Sequence, residues 1–307
     1  MRRTLALGFV LSTVLTMTLG RTAPAAQMVV EPVLALPGAP AVAASPTTLS
    51  TTCPAVTRAT TDRADVRTDS LVHAIYLVPS DTADESLDKN GVLDCSMRAM
   101  NAWLFSASGS IQWKLDTFGT GGTVDVTYVH STLPGDQLNS AGEVSSELRS
   151  KGFNLSTKRY LSFVASGAGG VCGDAYWPTG IGAGPVDGQY SQVYLLSSAG
   201  CHAHEFGTPG AASWAEAIVQ QEMIHNDGVV PIGAPHGCGP LGLPAHVCTG
   251  PLWIVPNLDP ERTDVMFPYV TGPLQAKQLD RGHDDYFMHP DPLTRHLEYS
   301  DYVEPAP

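Results

Sequence analysis

Six cysteines placed behind an N-terminus built for export constrain this chain more than any other feature. Arg2 and Arg3 precede a mostly apolar run from Leu5 to Leu19, and Arg21-Thr22-Ala23-Pro24-Ala25-Ala26 follows with an Ala-x-Ala exit. A positive start, an apolar middle and a small-residue end make the layout of a secretory signal peptide, here residues 1–26. The apolar run is broken by Thr, Ser and Gly, and falls short of the ~20 apolar residues that a membrane-spanning helix needs. Cys53, Cys95, Cys172, Cys201, Cys238 and Cys248 all lie beyond it. An even count after an export signal reads as disulfides in a secreted, extracellular protein. Proximity favours Cys172–Cys201 and Cys238–Cys248, which leaves Cys53 for Cys95.

Charge narrows the range of partners. The chain carries 17 basic and 30 acidic residues, a net charge of −13. Loss of the leader takes away Arg2, Arg3 and Arg21 and no acid, so the mature chain is more negative still. Such a surface repels nucleic acid and anionic lipid. No other stretch is long and apolar enough to enter a bilayer, so no membrane insertion is expected once the leader is cut. The expected partner is a peptide or protein, and the expected state a monomer.

Residues 27–66 are rich in Ala, Pro, Thr and Ser without periodic pattern, and read as a linker or loosely held arm. Residues 67–307 suffice for one domain with a sizeable core. Leu71 to Val78 is a β-rich run closed by Pro79. Asp88-Lys89-Asn90-Gly91 opens like a calcium loop, but Ala99 stands where the bidentate Glu belongs, which excludes an EF-hand. The pattern predicts helices near 92–104 and 141–151, and strands near 112–115, 124–129, 160–164 and 193–196. Gly167 to Gly188 reads as Gly-rich and irregular. The fold class is α+β or α/β: a twisted mixed sheet packed by helices and stapled by disulfides.

Ser213 to Asp227 carries the most chemistry. Ser213 followed by Glu216 is a capping box, and Gly228 supplies a helix stop. Inside stands Gln221-Glu222-Met223-Ile224-His225. The zincin motif is His-Glu-x-x-His on a helix, where imidazoles four apart share one face and grip one zinc. The Glu beside the first ligand takes a proton from the metal-bound water. Here Glu222 and His225 are in place, and the first position holds Gln221.

The flanks add Ala234-Pro235-His236, Ala245-His246-Val247, Asp264-Val265-Met266-Phe267 and Leu279-Asp280-x-Gly282-x-Asp284-Asp285-Tyr286. Upstream stand Ile75 to Pro79 and Cys172-Gly173-x-Ala175-Tyr176-Trp177-Pro178. In this order the chain resembles a group of bacterial secreted zincin-type metallopeptidases over most of residues 70–290. The resemblance implies a zincin-like active-site helix, zinc as cofactor and peptide-bond hydrolysis, with Glu222 as general base and His225 as a zinc ligand. It places Met266 as the methionine turn beneath the ligands, and Asp264 as an acceptor orienting a ligand imidazole. It leaves the third ligand open between His236 and His246.

The segment His236-x-Cys238 to His246-x-Cys248 also permits two readings, a structural Cys₂His₂ zinc site or a disulfide; an oxidising location favours the disulfide. At the first ligand position Gln offers only a neutral amide oxygen, where zinc prefers imidazole, thiolate or carboxylate. The default expectation is therefore a weak or inactive site; two functions stay open, a secreted zinc metallopeptidase with an altered ligand set and, as the alternative, a catalytically inactive zincin-fold pseudoenzyme that binds a peptide or cell-surface partner. The sequence leaves three routes to a working site: ligation by Gln221 itself, recruitment of His202 or His204, or a three-histidine set of His225, His236 and His246.

Overall fold

In a computed structural model, the described residues are 54–168, 170–178, 190–197, 200–230, 234–238, 245–249, 256–289 and 296–306, with the backbone of an outer strand at 28–35. The leader expected at 1–26 lies outside them. The elements run β1 (Met28–Ala35), β2 (Leu71–Val78), α1 (Val92–Ser108), β3 (Ile111–Trp113), β4 (Thr117–Phe118), β5 (Thr123–Val124) and β6 (Val126–His130). They continue with α2 (Ala141–Ser150), β7 (Lys158–Val164), β8 (Val171–Pro178), β9 (Tyr190–Tyr194), α3 (Trp214–Asn226), β10 (Tyr269–Val270) and β11 (Val303–Pro305).

A mixed sheet organises the fold. Its centre is five strands in the order β8-β9-β7-β2-β6, and β1 and β10 extend it past β8. Strands β6, β2, β7 and β9 are mutually parallel, and β8 turns antiparallel against β9. Central parallel strands are covered on both faces and therefore read as continuous apolar runs; all eight residues of β2 are buried. Val72, Ala74, Tyr76 and Val78 join the core beneath α1 and α3. Ile75 and Leu77 join the opposite core with Val144 and Leu148 of α2. Beyond α3 the chain is mainly short 3₁₀ turns and loops.

Three sequence expectations need correction. Within the stretch read as irregular lies β8, a strand of eight residues. Its composition hid it, because Gly173 answers a packing demand rather than a turn. A Cβ there would lie 2.8 Å from Glu222 Oε1, 2.8 Å from Ile218 Cγ2 and 2.7 Å from the Gln192 carbonyl. The arm expected over 27–66 is not loose throughout: β1 pairs with β8 and β10. Residues 54–66 are pinned by ion pairs, Arg58 with Asp84 and Asp88, Arg63 with Asp125, and Lys158 with Asp62 and Asp65. Helix α1 also continues four residues past its expected end, to a left-handed Gly109 whose N–H bonds the Phe105 carbonyl.

Disulfides join Cys172 to Cys201 and Cys238 to Cys248. Cys95 is disulfide-bonded as well; Cys53, its expected partner, lies outside the described residues. No helix among the described residues is long and apolar enough to cross a membrane.

Candidate functional site

Helix α3 begins where Ser213 and Glu216 form the capping box. The buried Glu216 carboxylate also accepts from Gly207 N at 2.9 Å and from Ser96 Oγ. Every residue from Ala215 to Asn226 is buried, six polar side chains included. Burying polar groups costs stability unless they are bonded. Gln220 accepts from Trp113 Nε1 at 3.0 Å. Asn226 donates to the Tyr176 carbonyl at 2.7 Å and accepts from Ser191 Oγ at 3.1 Å. The helix is thus keyed into the sheet on one side and into the C-terminal loops on the other.

On the loop side, His225 Nε2 lies 3.2 Å from His246 Nε2, with the rings nearly perpendicular at a centroid distance of 4.6 Å. Both imidazoles are fully buried. Burial strips water from the cationic form, and His246 adds to the effect, so the pKa of His225 lies well below 6.5. At neutral pH one ring donates its Nε2 proton to the other. Two imidazoles bound to one tetrahedral zinc would stand about 3.3 Å apart, from Zn–N bonds of ~2.0–2.1 Å. The spacing suits half of a zinc site.

The other half does not fit. Gln221 is buried and its amide nitrogen donates to the Phe267 carbonyl at 3.0 Å. Val247 N donates to the Met266 carbonyl at 3.0 Å. The Met266–Phe267 turn is therefore stitched both to the helix at position 221 and to the loop carrying His246, with Met266 fully buried. Among the described residues, no grouping of three His, Cys, Asp or Glu ligand atoms contains the His225–His246 pair. His225 Nδ1 is buried with no hydrogen-bond partner, whereas a metal-binding histidine ordinarily donates that proton to an orienting acceptor. A catalytic zinc centre takes three protein ligands, and among the described residues only these two imidazoles are grouped here.

The remaining candidates fall elsewhere. His236 and His246 are joined through their main chains, Cys248 N to the His236 carbonyl at 2.7 Å and Cys238 N to the His246 carbonyl at 2.9 Å. The disulfide, not a Cys₂His₂ zinc, closes this loop. The imidazole of His236 meets Asp285 at 3.1 Å and Asp284 at 3.4 Å, so the three-histidine set does not assemble. His202 binds Glu205 at 2.6 Å and stacks on Trp214, and His204 faces Glu85 at 3.9 Å. Among the described residues, Asp264 orients no imidazole. Its oxygens accept from Met266 N (2.7 Å), Tyr286 Oη (2.9 Å) and Arg281 N (2.6 Å), and burial raises its carboxyl to about 7.

Sequence reasoning missed Gly173, whose lack of a side chain lets the Glu222 carboxylate lie against β8. It also missed Asp174 beside it. That carboxylate accepts from Tyr194 Oη at 2.9 Å and from Ala141 N at the start of α2 at 2.8 Å, and burial raises it to about 6. Gly173 stood in the sequence only as part of the Cys172-Gly173-x-Ala175 stretch, with nothing to mark its contact with α3, and Asp174 fell at its unspecified position. No family model and no curated protein matches this chain.

Proposed function

We propose that this chain is an exported zincin-type protein whose hydrolytic centre has been disarmed, and that it acts by holding a peptide or cell-surface partner rather than by cutting one. One observation carries the reading: the side chain at the first ligand position, Gln221, spends its amide nitrogen on the Phe267 carbonyl. An amide fixed in this way by the fold serves as a structural tie, and its neutral oxygen is a poor substitute for imidazole. Glu222 retains the general-base position, one residue from the tie and a helical turn from His225, but position 221 offers no imidazole to help hold a metal beside it. The disulfides and the order of motifs support an extracellular setting.

The test is zinc stoichiometry in a His236→Gln background, which leaves the buried pair as the site under examination. Gln221→His changes little in volume and supplies the third imidazole, so it should gain one zinc equivalent, while the unmodified position 221 binds none above micromolar affinity. Tight zinc binding with Gln221 in place, lost on His225→Gln, would refute the reading.

A further inference from the structure

The loop between Asp280 and Phe287 is wound unusually tightly. Asp280 sits at φ +48 and Gly282 at φ +101. The Asp280 carboxylate collects the main-chain N–H groups of Asp284, Asp285 and Tyr286, the last at 2.8 Å. Tyr286 Oη accepts from Asp280 N at 2.8 Å and donates to Asp264. This winding turns two consecutive acids, Asp284 and Asp285, toward His236, which the Cys238–Cys248 loop holds from the other side. His236 Nδ1 lies 3.1 Å from Asp285 Oδ2 and 3.4 Å from Asp284 Oδ1. One ligand atom from each residue lies within 4.8 Å of the other two.

A second grouping in the molecule provides an internal comparison. Asp62, His73, Asp116 and Asp125 also gather ligand atoms, but that cluster is already neutralised. Lys158 Nζ reaches Asp62 at 2.7 Å and Asp116 at 2.8 Å, and Arg63 binds Asp125. At His236 no such cation arrives. Among the described residues, no Lys or Arg nitrogen lies within ion-pair distance of Asp284 or Asp285, and Arg281 turns instead to Glu261 at 2.6 Å. Asp284 Oδ1 is shielded from solvent yet accepts no hydrogen bond. The group is nevertheless reachable, since the side chains of His236 and Asp284 are 37% and 39% exposed. An imidazole nitrogen beside two carboxylates suits a zinc-class ion with water in its open position, and does not suit calcium or magnesium, which take all-oxygen shells.

We infer that His236, Asp284 and Asp285 form a divalent transition-metal site of the zinc class, separate from the buried His225–His246 pair. The ion clamps the 280–287 loop to the disulfide loop. This inference does not rest on the proposed function.

The experiment is calorimetric titration of Zn²⁺ into the chelator-stripped full mature chain. One equivalent should bind at micromolar or tighter affinity. Asp284→Asn and His236→Gln, both partly exposed, should each weaken it at least tenfold while leaving the unliganded melting temperature within a degree or two. His246→Gln should leave it unchanged, and Ca²⁺ should bind at least a hundredfold more weakly. No zinc bound by the wild type, equal affinity in Asp284→Asn, or calcium binding as tight as zinc would each overturn the assignment. Zinc lost in His246→Gln alone would place the ion at the buried pair, overturning this inference and the disarmed-site reading together. Absence of zinc everywhere would overturn this inference alone.

Discussion

Gln221 ties α3 to the Phe267 carbonyl, 46 residues further along the chain. That Glu222 and His225 share one helix was legible in the sequence from the Ser213–Glu216 capping box and the Gly228 stop. The choice between His236 and His246 was not legible. Both flank the same disulfide, and their rings part because Asp285, 49 residues further on, captures His236. A partner at that separation leaves no local trace. Titration offers an independent check on the buried pair. The folded-state pKa of His225 lies well below 6.5, so at pH 7 it is neutral in both folded and unfolded chains and nothing is lost. As pH falls below 6.5 the unfolded chain takes up a proton that the folded one refuses, and stability declines by up to ~1.4 kcal/mol per pH unit. Asp264 and Asp174 act in the opposite sense over the same range. Their raised folded pKa values, about 7 and about 6, give stability that is complete below the ordinary carboxylate range and lost as pH rises through those values. The His225 contribution therefore has to be read as a difference. In chelator, between pH 6.5 and 5, the wild type should lose more unfolding free energy than His225→Gln, because only the wild type holds an imidazole whose folded pKa lies well below 6.5. Parallel curves would show that the imidazole is not held neutral.

Elements were legible where one local rule dominated. Strand β2 followed from a β-rich run interrupted only by His73 and closed by Pro79, and α3 from its capping box; the structure begins the helix at Trp214, directly after the Ser213 cap. Strand β8 was obscured because its glycine is dictated by the helix packed across it, a tertiary demand that overrides strand propensity. Gly173→Ala should therefore be costly out of proportion to its size. Two of the atoms it meets belong to Ile218 and Glu222 of α3 and the third is the Gln192 carbonyl, which has little freedom to yield. Overpacking of this kind costs about 1–3 kcal/mol. A shift in denaturation midpoint below 0.5 kcal/mol would mean that α3 does not press on β8 as described. Ser213→Ala tests the other end of the same contact network, with an expected loss of about 1 kcal/mol in urea unfolding from the lost cap.

At the scale of the molecule, the mixed sheet and the pairings of Cys172 with Cys201 and Cys238 with Cys248 agree with expectations read from composition and proximity. The tethering of residues 54–66 does not, because ion pairs such as Lys158 with Asp62 and Asp65 bridge more than ninety residues and follow no periodicity. The Cys172–Cys201 bridge closes a loop of 29 residues between β8 and the approach to α3. By loop-closure entropy its removal should cost about 3–4 kcal/mol, measurable as a lower melting temperature of the double Cys→Ala variant. The central proposal is that Gln221 serves as a structural tie where a zincin would place its first ligand. The most direct test is cleavage of a fluorogenic peptide library by the zinc-supplemented mature wild type beside Glu222→Gln. The account predicts that the two give the same background rate. Wild-type cleavage that exceeds that of Glu222→Gln and disappears with chelator would contradict it.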